Sequence, residues 1–249
     1  MNPEEYKTIA QLENSHWWYK SLHRLVIDTL KRIHPYDNTP IILLDAGSGT
    51  GGLLNALQKI YPLWTLIGAD LSPLALIHCQ HRENTHFLQA SVEHIPLDNE
   101  SVDILISLDV LYHMNVNDDE KSLKEMYRVT KKGGLLILNL PAFEFLRGHH
   151  DRVIWTRERY TRIKLCKKIQ ISGFEIVKCS YRHMILFPII SIKRLTDRLR
   201  KHESTQSDLK SLPFWLNGFL NFISQFENRI INYFDLPVGS SLFCLARKP

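Results

Sequence analysis

Residues Ile41–Gly52 read "IILLDAGSGTGG", and the interpretation of this stretch decides the fold. The opening "IILLDA" is apolar at nearly every position, the pattern of a strand buried on both faces of a parallel sheet. The glycines that follow permit a tight turn and let backbone N–H groups come close to a ligand. From Gly52, "GLLNALQKIY" repeats its apolar residues at helical spacing. Strand, glycine loop and helix in this order place a ligand at the carboxyl end of a strand, where open α/β sheets bind. A dinucleotide fingerprint would read GxGxxG, so that a pyrophosphate could rest on the helix N-terminus. Here the spacing is GxGxG, and Asp45 stands two positions before Gly47. A carboxylate in that place repels pyrophosphate and suits a ligand carrying an ammonium and a sulfonium. The spacing therefore weighs against a nicotinamide oxidoreductase.

Outward from the loop the elements alternate. "WTLIGAD" (64–70), "HFLQA" (86–90), "VDILISL" (102–108) and "LLILNL" (135–140) read as strands. "SPLALIHCQH" (72–81), with Ser72 as N-cap and Pro73 at the first helical position, and "DEKSLKEMYRVT" (119–130) read as helices. "KKGG" (131–134) turns the chain. A helix over 161–173, a strand over 174–182 and a last strand over 240–248 follow. This rhythm implies a doubly wound, mostly parallel Rossmann-like sheet with helices on both faces. One domain is expected over 1–249. It comprises an N-terminal helical cap (1–39), a core (40–182), a helical insertion or lid before the last strand (183–238) and that strand (239–249).

At 249 residues, with 44% hydrophobic and 23% charged residues, the chain can bury a sizeable core and is not a disordered sequence. Lys and Arg exceed Asp and Glu by 31 − 26 = 5, a mild tilt toward anionic partners. Cys79, Cys166, Cys179 and Cys244 show no CxxC pairing and sit in apolar periodic stretches, as buried thiols in a reducing compartment do. No signal-peptide pattern opens the chain, and no apolar run approaches the ~20 residues that cross a bilayer. A cytoplasmic location is expected.

Asp70 ends the second strand about 20 residues beyond the loop, where a carboxylate can accept both hydroxyls of a ribose. With the loop, this pairing resembles the class I S-adenosylmethionine-dependent methyltransferases. "LIGADLSPLAL", "LQASVEHIPLDNESVDILISLDVLYHM" and "LKEMYRVTKKGGLLILNLP" resemble that family's successive motifs, in order, over roughly residues 40–142. The resemblance implies S-adenosyl-L-methionine as cofactor. Asp45 and the Gly47, Gly49 and Gly51 backbone would hold its methionine part, and Asp70 its ribose. Leu71 would pack on the adenine, and the Leu108 carbonyl would meet the amino group. Where many members have "GD", this chain has Ala90–Ser91, so the adenine contact falls to Ser91 and the Val92 backbone. "HWWYK" (16–20) is similar to an "hWWF" segment of a bacterial small-molecule branch. One reading closes this helix over the cofactor with Tyr19 or Arg24 near its carboxylate; the other makes it an aromatic cap on the sheet.

"LRGHHDRVIWTRERY" (146–160) follows the fifth strand and is expected to overhang the reacting group. It resembles the "LPA", "HD" and "RRYT" run of the same branch. Adjacent His149 and His150, with no further ligand at metal spacing, argue against a metal. Two readings stand, a solvated loop or a substrate-facing segment. In the second, His150 or His149 is a base, Asp151 its orienter, and Arg157, Arg159 and Tyr160 contact the acceptor. His113 in "LYHM" is the rival base. The aromatic residues of 183–238 read as core, as a lid over an apolar acceptor, or as a face on anionic lipid. No signature of an amino-methylating DNA enzyme follows the fourth strand, so nucleic acid is not expected. The expected function is methyl transfer to a small, apolar or anionic acceptor. The alternative is a non-catalytic module that only binds the cofactor.

Overall fold

The computed structural model describes residues 3–34, 39–79, 83–199 and 212–249. Two helices open the chain, α1 (Pro3–Leu12) and α2 (Trp17–Ile33). The alternating core is β1 (Ile42–Ala46), α3 (Gly52–Ile60), β2 (Thr65–Asp70), α4 (Pro73–Leu76), β3 (Thr85–Gln89), β4 (Val102–Leu108), α5 (Asp119–Val129) and β5 (Thr130–Pro141). A 3₁₀ turn (Glu144–Leu146) leads to α6 (His149–Val153), α7 (Arg162–Ile171) and β6 (Glu175–Arg182). Helices α8 (Phe187–Leu199) and α9 (Phe214–Ile231) precede β7 (Ser241–Arg247). Among the described residues the strands form one sheet in the order β3-β2-β1-β4-β5-β7-β6. β7 runs antiparallel to both of its neighbours, and the pairs from β3 to β5 are parallel.

The core is built from the strands that read as continuously apolar. Leu43, Leu44, Ile104, Leu105, Leu136 and Ile137 are fully buried, as strands covered on both faces require. Helix α2 turns Leu25, Val26 and Leu30 inward, each stabilising by about 1.5–3 kcal/mol relative to exposure. It packs on α3 and α9, while α5 packs on α7.

Two expectations need correction. Among the described residues the helix expected over 72–81 keeps regular form only as α4, and the Ser72 side chain makes no capping bond. Its backbone N–H donates instead to Asp70 Oδ1 at 2.9 Å, which ties this turn to the carboxyl end of β2. "KKGG" does not separate two elements. It bulges out within β5, between the pairs Val102↔Thr130 and Ile104↔Leu135. Lys131 Nζ anchors the bulge on Asp103 at 2.9 Å.

Candidate active site

The carboxyl ends of β1, β2 and β4 open into a cavity of about 710 Å³. Its floor is the glycine loop, where Gly47 has φ +91°, and an added Cβ would land inside the Val110 side chain. Gly51 also turns left-handed, at φ +81°, to start α3, but it faces Phe87 and Cys79 and lies outside the cavity lining. Of the loop's expected contacts, Asp45, Gly47 and Gly49 line the cavity and Gly51 does not.

Asp70 Oδ2 accepts the Gly49 N–H at 2.9 Å, fixing the loop against the end of β2. Asp45 lies behind it, fully buried. Burial, then the nearby charges of Asp70 and Glu13, push its carboxyl up to about 7. Burial also raises Asp70 and Glu13. Glu13 had no signal in the sequence. It reaches the loop from the turn after α1 and accepts a 2.6 Å bond from Thr50 Oγ1, a partner 37 positions away. Three carboxyl groups thus converge on a glycine loop.

Leu71, Ser91, Val92 and Leu108 line the same cavity. The Ser91 hydroxyl accepts from the Glu93 N–H at 3.2 Å, so part of its acceptor capacity is already engaged. Tyr19 lines the cavity, and Arg24 does not. Arg24 instead pairs with Asp28 at 2.9 Å on the exposed side of α2.

The 146–160 segment divides. Asp151 and Arg159 line the cavity and bind each other at 2.8 Å, and Asp151 also accepts the Gly148 N–H at 2.7 Å. The guanidinium holds the Asp151 carboxyl below its usual range against the opposing effect of burial. Arg159 Nη1 further donates to the Ala142 carbonyl at 2.8 Å, so this arginine clamps the segment to the end of β5. Two of the expected acceptor contacts are corrected. Arg157 lies outside the lining and donates to the carbonyls of Asn117 and Leu111 at 3.1 and 3.3 Å. Tyr160 is fully buried, its hydroxyl donating to Asp119 Oδ2 at 2.7 Å. The His150 side chain lies outside the described residues. His113 lines the cavity; its Nδ1 accepts the Asn115 N–H at 3.1 Å, and burial lowers the imidazole to about 4.

Asp109 is the residue that sequence reading passed over. It follows β4 at φ +56°, lines the cavity, and accepts from Asn139 Nδ2 at 2.9 Å. Burial pushes its carboxyl up to about 6, against the pull of Asn139, Arg182 and Arg159. A left-handed aspartate held at a strand end in a cavity is the kind of strain that surrounding structure must maintain. Its signal was available, since it ends a strand just as Asp45 and Asp70 do.

Residues 44–138 match the family described as "Methyltransferase domain". Those residues form a methyltransferase domain. The chain is 29% identical over 138 residues to a malonyl-[acyl-carrier protein] O-methyltransferase of a Marinomonas species, covering 53% of this chain and 50% of that one. It is 32% identical over 104 residues to an Arabidopsis thaliana tRNA (carboxymethyluridine(34)-5-O)-methyltransferase, covering 41% and 24%. The chain therefore spans half or less of the length of these relatives. Its fold is similar to a putative methyltransferase solved in complex with the Haloferax volcanii Trm112 methyltransferase activator. The TM-score is 0.62 at 17% identity, covering 99% of this chain and 94% of that one.

S-adenosylmethionine is the cofactor of such domains, and the donor set suits it. Burial raises the proton affinity of Glu13, Asp45 and Asp70, and the charges of Asp70 and Glu13 raise that of Asp45 further, so a ligand bearing positive charge and hydroxyl donors relieves what the protein alone leaves uncompensated. The crowding of Gly47 against Val110 leaves only backbone on that side of the loop.

Proposed function

We propose that the protein transfers the methyl group of S-adenosylmethionine to a small, largely apolar acceptor. The observation that carries this reading is the convergence of Glu13, Asp45 and Asp70 on the glycine loop at the floor of a single cavity. The cavity falls within the roughly 300–1,000 Å³ usual for small-ligand sites. The relatives above are named for malonyl-[acyl-carrier protein] and for a tRNA, which differ in class. The wall supports a small molecule, because Trp17, Trp155, Ile154, Leu146 and Ile190 line the cavity.

When bound, the cofactor supplies a methyl carbon already activated for displacement by its sulfonium. The protein's work is then alignment and, for a hydroxyl or acidic carbon acceptor, removal of a proton. Asp45 and the Gly47 and Gly49 backbone hold the methionine part, and Asp70 the ribose. Leu71, Ser91 and Val92 enclose the adenine, with the Leu108 carbonyl and Tyr19 closing the site. Asp109 receives the acceptor's proton, since its raised carboxyl is matched to the task near neutral pH, whereas His113 is a weak base at about 4. Asp151 and Arg159 form the wall that faces the acceptor.

Calorimetry with S-adenosylhomocysteine tests the first half. Methyl incorporation into a panel of phenols, carboxylates and prenyl lipids, with tRNA alongside, tests the second. Tight binding without turnover on any of these would leave only the non-catalytic module. Turnover on tRNA alone would replace the small-molecule acceptor.

A further inference from the structure

Helix α9 is inverted. Its buried positions include Ser224, Glu227 and Asn228, whereas Trp215, Phe219, Phe222 and Phe226 are 52–71% exposed. The spacing of these four aromatics, in steps of four, three and four, puts them in one stripe on the outer side. The inward polar face is fixed by specific bonds, so the orientation follows from structure. Glu227 accepts the backbone N–H groups of His183 and Ile185, and Asn228 Nδ2 donates to the Ser21 carbonyl at 2.7 Å. Asn217 accepts the Trp17 N–H at 2.8 Å, anchoring the start of α9 beside a cavity wall. On α8, Ile189 and Ile192 are exposed beside Ile190 and Lys193, which line the cavity. Exposed apolar residues of α8 thus lie beside the cavity, and the start of α9 is tied to one of its walls.

We propose that the outward faces of α8 and α9 seat the cavity mouth on an anionic phospholipid bilayer. Isolated apolar residues on a surface need no partner, but a stripe of four exposed aromatics along one helix marks an interaction face. Charge selects the occupant. Along α8 the sequence carries Lys193, Arg194 and Arg198 against Asp197, a net of 3 − 1 = 2. A second copy packed symmetrically on α8 would oppose its net positive charge, whereas an anionic headgroup layer complements it. Among the described residues no helix is long and apolar enough to cross a membrane, so these helices lie in the interface. An apolar acceptor dissolved in the lipid would then enter the mouth laterally; this delivery rests on the methyltransferase reading, and the docking does not.

The test is flotation of the full chain with phosphatidylcholine vesicles, with and without phosphatidylglycerol, at low and high salt. The bound fraction should rise at least about tenfold with phosphatidylglycerol. It should fall by a similar factor in high salt or in the Phe219→Ser/Phe222→Ser variant, whose S-adenosylhomocysteine affinity should stay within about threefold. Should that variant misfold, brominated lipids provide the second measurement. They should quench the wild-type fluorescence, and the conservative Trp215→Phe should lose that part of the quenching. No binding to phosphatidylglycerol vesicles, equal binding to neutral ones, or quenching unchanged by Trp215→Phe overturns the proposal. So does a dimer in light scattering that Phe219→Ser/Phe222→Ser converts to a monomer. Vesicle binding without any methyl transfer would sink the activity and leave the docking standing, so the two readings fail separately.

Discussion

Asp70 binds two backbone N–H groups, those of Gly49 and Ser72, and still faces the cavity. Removing its carboxylate both loosens the loop and leaves ligand hydroxyls unpaired, so Asp70→Ala should weaken S-adenosylhomocysteine binding by about 1–3 kcal/mol. An unchanged dissociation constant in a folded variant would end the ribose assignment. Asp109→Asn should preserve cofactor binding while lowering turnover by roughly 10²–10⁴-fold. With Asp109 as proton acceptor, the wild-type rate should fall as pH drops through about 6. His113→Ala should cost far less, and a profile that follows the variant at His113 would reassign the base. At this scale the sequence was informative where a residue sits at a strand end, as Asp45 and Asp70 do. It misdirected where side-chain type alone was read. Arg157 and Tyr160 looked like acceptor contacts because cations and phenols bind ligands, yet both serve loop carbonyls and a buried carboxylate. Nothing local distinguishes the two uses, because the partners lie some 40 positions earlier in the chain.

The glycine loop is legible because its chemistry is local. A left-handed turn at the end of a buried strand demands glycine, and Gly47→Ala adds both backbone strain and a clash with Val110. That substitution should destabilise the fold by about 1–3 kcal/mol and abolish measurable cofactor binding, as thermal melts with and without S-adenosylhomocysteine would reveal. Wild-type ligand stabilisation in Gly47→Ala would mean that the loop is not the cofactor's floor. The short α4 was not legible, since "SPLALIHCQH" has helical composition and only the tie of the Ser72 N–H to Asp70 shows how the turn is fixed. Helix α9 posed a different problem. Its aromatic stripe has the right period for a core face, and periodicity gives no sign of which side of a helix points inward. The polar bonds of Asn217, Glu227 and Asn228 settle it.

For the whole molecule, the carboxyl cluster couples stability to pH. The folded-state value of Asp45, about 7, lies above the ordinary 3.8, so its contribution is fully present below about 3.8 and is lost as pH rises through about 7. Asp45→Asn should therefore melt progressively higher than the wild type, by several degrees, as pH is raised from 5 to 8. The same ionisation favours a cationic ligand, so wild-type affinity for S-adenosylhomocysteine should rise with pH up to about 7, with protons released on binding. A flat pH dependence in calorimetry would contradict this coupling. The sheet itself was readable as a parallel, doubly wound array. What no local pattern announced is that β7, after the two insertion helices, slots antiparallel between β5 and β6. During synthesis this arrangement imposes an order of events. Until residues 241–247 have left the ribosome, β5 and β6 each present an unpaired edge, a template for pairing with neighbouring nascent chains. A chain stopped just before Ser241 would keep both edges open, and its fate would be set by how quickly a chaperone reaches them.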